Sequence, residues 1–108
     1  MRISIRGDRS LDSSLVDLAN LRFGTALGRF ASRIQSLVIR IGDVNGPKGG
    51  EDKRCVVHVR LASPRRVAII EDTDLSAAAA ISRAADRAGR TVARLVATHR
   101  DRQWFAAR

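Results

Sequence analysis

The sequence contains little sulfur and few aromatic side chains. Cys55 is the only cysteine among 108 residues, so an intramolecular disulfide cannot form, and a reducing cytoplasm is the expected compartment. Tyrosine is absent, and only one tryptophan and three phenylalanines are present. Because 44% of the residues are nevertheless hydrophobic, the core must be built mainly from Val, Ile, Leu and Ala.

Long apolar runs are also missing. No segment approaches the roughly 20 apolar residues that a membrane-spanning helix requires. The opening residues, 1–6, alternate charged and apolar side chains and have no apolar signal-peptide region, so a secretory leader is not expected. The length allows one domain, and residues 1–100 are predicted to form it, with 101–108 as a frayed tail.

Acidic side chains are scarce relative to basic ones. The chain has 20 Lys and Arg against 11 Asp and Glu, a formal net charge of +9. Only Lys48 and Lys53 are lysines. The excess is spread along the chain, at +3 over residues 1–33, +2 over 34–72 and +4 over 73–108. A basic folded surface attracts polyanions, above all nucleic acid, although biased codon usage is a second explanation that only the positions of the arginines can test.

Hydrophobic periodicity predicts the order β-α-β-β-β-α. The predicted strands cover residues 2–6, 34–43, 54–61 and 67–71, and the predicted helices cover 11–30 and 75–99. The first helix is predicted to carry an apolar stripe of Leu11, Leu15, Leu18 and Leu21. Alternation places Leu37, Ile39 and Ile41 on one face of the second strand and Cys55, Val57, Val59 and Leu61 on one face of the third. In the fourth strand, Val67 and Ile69 are predicted to face the core. Residues 42–53 are rich in turn formers and predict a long hairpin loop. The expected fold is α+β, a four-stranded mixed sheet whose first two strands are parallel, with two helices packed on one face.

The second helix carries a regular stripe of arginines. Arg83, Arg87, Arg90 and Arg94 are spaced i, i+4, i+7 and i+11, and the centre of the stripe lies about 170° from the apolar centre of the helix. One alternative is an ordinary solvated helix face. The functional interpretation is a phosphate-binding surface, because guanidinium groups bind phosphates bidentately.

Two further basic features are candidate binding surfaces. The outward face of the predicted sheet carries a polar and basic set: Arg2, Ser4, Arg6, Arg40, His58 and Arg60. This face has no aromatic side chain, so base stacking is disfavoured and recognition of structured RNA through its backbone is favoured. In the predicted hairpin loop, Lys48 and Lys53 flank glycines and could approach a phosphate.

No catalytic or metal-binding constellation is found. Residues 46–50 contain a GPKGG sequence, but Glu51 and Asp52 follow where a Walker loop needs Ser or Thr and a helix. His58 and His99 lie on separate elements, and Cys55 supplies the only thiol, so no zinc spacing exists. Cys55 is predicted to be a core residue. The protein is therefore predicted not to be an enzyme and to need no cofactor, metal or small-molecule substrate.

Several segments together resemble a known family. They are 2–7 (RISIRG), 30–34 (FASRI), 55–59 (CVVHV) and 71–75 (EDTDL), and their order and spacing over residues 2–100 are similar to the ribosome hibernation-promoting factor and ribosome-associated inhibitor family, also called sigma modulation proteins. The resemblance implies a cytoplasmic, stress-related protein that binds ribosomal RNA of the small ribosomal subunit and inhibits translation. It also implies RNA contacts from the second helix, at Arg83, Arg87, Arg90 and Arg94, and from the first helix, at Arg22 and Arg29.

A rival hypothesis is a basic protein–protein interaction module. Such a module would bind an acidic partner or associate with itself through the sheet face. A membrane-surface role is disfavoured, because the basic helix lacks an apolar face rich in Trp and Phe.

Overall fold

A computed structural model describes residues 1–9, 11–44 and 52–106. Its elements follow the predicted order. They are β1 (Arg2–Gly7), α1 (Ser13–Leu27), a 3₁₀ helix (Gly28–Arg33), β2 (Ile34–Asp43), β3 (Lys53–Leu61), β4 (Arg66–Asp74) and α2 (Ala77–Ala106). The predicted α+β fold with a four-stranded mixed sheet and two helices is confirmed.

The sheet has the strand order β1-β2-β3-β4. β1 pairs with β2 in parallel, and the two later pairings are antiparallel. A helix between β1 and β2 explains the parallel pairing, because parallel neighbours need a crossover connection. The antiparallel strands are joined by the segment after Asp43 and by the turn at residues 62–65.

The core lies between the helices and one face of the sheet. On β2 and β3, alternate residues are buried, and they include Leu37, Ile39, Val57 and Val59. This alternation is the one that the sequence predicted for these strands. The helices contribute Phe23, Leu27 and Ile81 among others, and burying a large apolar side chain of this kind stabilises the fold by about 1.5–3 kcal/mol.

The first helix begins at an Asp12 cap, and its predicted stripe packs against the core through Leu11, Leu15 and Leu18 but not through Leu21. The Asp12 carboxylate accepts hydrogen bonds from the Leu15 N–H (2.9 Å) and the Ser14 hydroxyl (2.7 Å). The Ser14 hydroxyl and then the Leu15 N–H lower the pKa of Asp12. Leu21, predicted to join the apolar stripe, is 65% exposed. At 100° per residue it lies about 160° from the buried Phe23, and so it points to solvent.

The prediction for the faces of β4 was wrong. Val67 and Ile69 are exposed, and Ile70 is buried. The register explains the difference: Leu61, an inward residue, pairs with Arg66, and Val57 pairs with Ile70. Because residues opposite each other in a sheet share a face, the even-numbered residues of β4 face the helices.

The second helix is displaced and longer than predicted. It spans Ala77–Ala106 rather than 75–99. Leu75 precedes the helix and is exposed, and the helix start is capped by Ser76, whose hydroxyl accepts a hydrogen bond from the Ala79 N–H at 3.3 Å. Residues 101–106, predicted as a frayed tail, are helical and exposed. Neither Gly nor Pro occurs after Gly89, so no strong helix-breaking residue interrupts this segment.

Candidate nucleic-acid interface

Two arginines of the predicted α2 stripe are held by carboxylates of β4. Arg83 donates through Nη2 to Asp74 Oδ2 and to the Thr73 carbonyl, both at 2.6 Å. Its Nε lies 3.2 Å from Asp72 Oδ1. Arg87 donates through Nη1 to the Glu71 carbonyl at 2.6 Å and to Asp72 Oδ2 at 3.2 Å. The acidic side chains Asp72 and Asp74 therefore balance much of the positive charge at this end of the stripe.

The register of β4 places these carboxylates beneath α2. Cys55 pairs with Asp72, and Lys53 pairs with Asp74. Because Cys55 faces the core, Asp72 and Asp74 lie on the helix side of the sheet. The Asp72 side chain is only 13% exposed, whereas Arg87 is 48% exposed. Arg83 and Arg87 thus join α2 to the edge strand, a structural role that the helix periodicity alone did not indicate.

The other half of the stripe is open to solvent. Arg90 and Arg94 are exposed, and across residues 1–9, 11–44 and 52–106 neither has an ion-pair or hydrogen-bonding partner. Arg90 and Arg29 line the same shallow depression between α1 and α2, together with Asp86 and Gly89. Arg29 lies on the 3₁₀ helix that follows α1 rather than on the first helix as predicted, but it still meets Arg90 on one surface.

The two α1-side arginines have local contacts on this surface. The Arg29 guanidinium carbon lies 4.6 Å from the centroid of the Phe30 ring, a cation–π geometry that leaves the guanidinium N–H groups able to donate. Arg22 Nη2 lies 3.9 Å from Asp86 Oδ2, and both side chains are largely exposed. An exposed pair of this length contributes little to stability. We call Arg22, Arg29, Arg90 and Arg94 the helix surface.

The structure describes one of the two lysines of the predicted hairpin loop. Lys48 lies outside the described residues. The Lys53 ammonium donates to the Asp43 carboxylate, and these two residues are directly opposite each other on β3 and β2. The charge of Lys53 is therefore balanced by its cross-strand neighbour.

The opposite side of the sheet carries the predicted basic set. Arg2, Arg6, Arg40, His58 and Arg60 line one shallow depression of about 430 Å³, with Ser36, Val38 and Val67. We call this the sheet surface. Sequence reasoning missed its border, where Val67 and Ile69 are 57% and 64% exposed. Arg54 also faces this side and donates to Glu71 at 3.3 Å. The sequence held no signal for this border, because the turn predicted before Val67 and the observed turn at residues 62–65 differ by one residue, and one residue exchanges the faces of β4.

Cys55 has no chemical role in either surface. It is fully buried, and burial, followed by the negative charge of Asp72, raises the pKa of its thiol to about 12. A thiol that stays protonated is a poor nucleophile and a poor metal ligand. Within the described ranges, no group of three or more His, Cys, Asp and Glu side chains could hold a metal ion. No helix in those same ranges is both long and apolar enough to cross a bilayer.

Comparison with known proteins identifies the fold. None of the family models compared matches the sequence, and no match was found among curated proteins. Among solved structures, the chain is similar to the N-terminal domain of Protein Y from Thermus thermophilus, with a TM-score of 0.71 and 23% identity over 88% of this chain and 99% of that one. It is also similar to a ribosomal subunit interface protein from Coxiella burnetii, with a TM-score of 0.71 and 14% identity over 90% of this chain and 99% of that one.

These two structures confirm, at the level of the fold, the resemblance that the sequence indicated. The match extends over nearly all of each known chain, so it includes the sheet and both helices rather than one shared motif. The chain described here has the fold of the N-terminal domain of Protein Y and of the ribosomal subunit interface protein.

Proposed function

We propose that this protein is a ribosome-associated, non-enzymatic RNA-binding protein of the hibernation-promoting factor family. It acts in the cytoplasm, binds ribosomal RNA of the small subunit and inhibits translation under stress. The observation that carries the proposal is the shared fold with a protein described as a ribosomal subunit interface protein. The resemblance of the sequence to the same family and the net charge of +9 support it.

The helix surface is the proposed contact with ribosomal RNA. Arg90 and Arg94 are exposed and not paired with any carboxylate in the part of the chain that the structure describes, so their charges are available to phosphates. Arg29 lies beside Arg90 and extends the surface onto the 3₁₀ helix that follows α1. Arg83 and Arg87, being held by β4, are proposed to support the surface and to offer only their remaining N–H donors.

Co-sedimentation with purified ribosomal subunits tests this proposal. We expect the protein to sediment with the small subunit at low salt and to be released at high salt, because each phosphate contact on duplex nucleic acid adds about −0.9 to the log–log salt slope. The variant Arg90→Gln with Arg94→Gln should be released at lower salt than the wild type. Failure of the wild-type protein to sediment with either subunit would exclude the proposal.

A matched control separates local contacts from net charge. Arg100→Gln with Arg102→Gln removes the same two charges from the exposed end of α2 and should sediment like the wild type. The rival protein–protein hypothesis predicts a different outcome. If association persists after the ribosomal RNA is digested with nuclease, the partner is a protein.

A further inference from the structure

The sheet surface concentrates positive charge that nothing in the described structure neutralises. Arg2, Arg6, Arg40 and Arg60 are exposed, and no carboxylate in residues 1–9, 11–44 or 52–106 pairs with any of them. Glu71, the acidic side chain that β4 contributes to this face, is paired with Arg54 at 3.3 Å. The helix side, in contrast, has Asp72, Asp74 and Asp86 among its arginines.

The strand register arranges these arginines in two rows. Arg6 pairs with Arg40 across the parallel β1–β2 ladder. Arg2 and Arg60 both pair with Ser36 and so lie on either side of it. Along β1 and β2 the two rows are separated by four residues, about 13 Å at 3.3 Å per residue. Between the rows lies an uncharged or weakly basic row: Ser4, Val38 and His58.

Neighbouring like charges on a sheet cost stability unless a ligand or counterion offsets them. Arg6 and Arg40 are directly adjacent, and like charges in that position are destabilising. If this face had no function beyond contact with solvent, an acidic side chain among the arginines would increase the stability of the fold. Arg54 and Glu71 form such a pair on the neighbouring strands. The two basic rows therefore indicate an anionic partner with more than one charge.

The side chains present favour an RNA backbone as that partner. Guanidinium groups bind phosphate oxygens bidentately, and two rows can contact phosphates on either side of the central depression. No Phe, Tyr or Trp lines the surface, and His58 is the one ring among its lining residues, which disfavours a single-strand reader that stacks successive bases. The exposed Val67 and Ile69 at its border can contact sugars without selecting a sequence.

We propose that the sheet surface is a second RNA-binding site, which holds phosphates of a structured RNA segment while the helix surface holds another. The inference rests on the proposed function, because it takes RNA as the ligand. It adds that the domain lies between two RNA segments rather than on one. Since the helices and the sheet surface are on opposite sides of the same core, one short hairpin cannot occupy both.

Binding stoichiometry tests this directly. The probe is a short RNA hairpin with an A-form stem. It is titrated into the 108-residue protein, and binding is measured by calorimetry and native mass spectrometry at low salt. The wild type should bind two hairpins. Arg40→Gln with Arg60→Gln should bind one, and Arg90→Gln with Arg94→Gln should also bind one, at the other surface. In each variant, the log–log salt slope of the remaining site should equal the slope of that same site in the wild-type protein.

Controls keep the outcomes distinct. Arg100→Gln with Arg102→Gln has the same net charge as the sheet variant and should still bind two hairpins. Arg2→Gln with Arg6→Gln, on the edge strand, is the second sheet variant if the first unfolds, as judged by circular dichroism. It should also bind one hairpin.

Three results would overturn the inference. If the wild type binds one hairpin, lost in the α2 variant and unchanged in both sheet variants, the sheet site is excluded and the proposed function stands. If the wild type binds no hairpin and no ribosomal subunit, both fail. If the wild-type protein alone is a dimer that the sheet variants dissociate, the face binds a second copy instead of RNA.

Discussion

Nη1 of Arg87 on α2 lies 3.2 Å from Oδ2 of Asp72 on β4. The same carboxylate is 3.2 Å from Nε of Arg83 through its other oxygen, so one largely buried acid joins two turns of the helix to the edge strand. Residues selected by periodicity as phosphate ligands therefore also hold the fold together. Near the start of α2, Arg83 and Arg87 stabilise the fold, whereas Arg90 and Arg94 further along are proposed to bind RNA. The first two predictions test this difference.

Asp72→Asn should lower the free energy of unfolding by about 1–3 kcal/mol, because it leaves Arg87 without its carboxylate partner in a partly desolvated site and leaves Arg83 with Asp74 alone. Asp86→Asn is the matched control. Its partner Arg22 is 3.9 Å away and the carboxylate is 57% exposed, so about 0–1 kcal/mol is expected. Urea denaturation measures both, and equal effects would contradict a structural role for Asp72.

Charge reversal should have different effects at the two ends of the arginine stripe. Arg87→Glu places a carboxylate against Asp72 and the Glu71 carbonyl, and we expect a loss of about 1–3 kcal/mol in unfolding free energy. Arg94→Glu is exposed and should change stability by no more than about 0.5 kcal/mol, yet weaken RNA binding. Thermal unfolding and hairpin titration of each variant are the measurements. A stable Arg87→Glu protein would show that the β4 contacts contribute little.

Cys55 should be inert toward thiol reagents in the folded protein. It is fully buried, and its pKa is raised from the ordinary value of 9.0 to about 12, so the thiolate needed for reaction is absent at neutral and mildly basic pH. Labelling should occur only on unfolding and should become complete in denaturant. Rapid labelling under native conditions would contradict the buried position.

The same thiol gives stability a pH dependence of known sign. Because its pKa is higher in the folded state, its contribution is fully present below pH 9 and is lost as the pH rises toward 12, where the unfolded chain releases the proton first. The Cys55→Ala variant should lose less stability over that interval than the wild type. Denaturation series at pH 8 and above compare the two proteins, and parallel curves would exclude this linkage.

The second helix packs closely against the first at Gly89. A Cβ built there would lie 3.2 Å from the carbonyl oxygen of Ala26 and 3.4 Å from its Cβ. Gly89→Val should therefore push α2 away from α1 and cost about 1–3 kcal/mol. Gly24→Val is the control, since a Cβ at Gly24 meets nothing within 4 Å. Denaturation that ranks the two variants in the opposite order would show that the helices can separate at little cost.

Much of the fold could be predicted because local patterns and burial agree. Leu37, Ile39 and Ile41 alternate on β2 and are buried, and the connection through α1 requires the parallel pairing with β1. The faces of β4 could not be obtained in the same way. Val67 and Ile69 are stronger β formers than Ala68, and their alternation alone favours an inward position. The pairing of Leu61 with Arg66 reverses it.

The arginines of the candidate site could be predicted from the sequence, but their carboxylate partners could not. Periodicity placed Arg83, Arg87, Arg90 and Arg94 on one helix face, and the strand alternation placed Arg2, Arg40 and Arg60 on the outer sheet face, where the structure has them. Which of these charges are balanced depends on carboxylates from other elements. Asp72 meets Arg83 only because β4 packs beneath α2, and Asp43 meets Lys53 only because the hairpin aligns them.

The sequence by itself determined the order of the elements, the basic charge and the two surfaces that carry it, because these follow from composition and from periodicities of 3.6 and 2 residues. Only the tertiary structure decided the register of β4, and with it the positions of Asp72 and Asp74 beneath α2. The physical reason is that a one-residue change of register exchanges the two faces of a strand. Because of that register, Arg83 and Arg87 are paired with carboxylates of β4, whereas Arg90 and Arg94 are exposed.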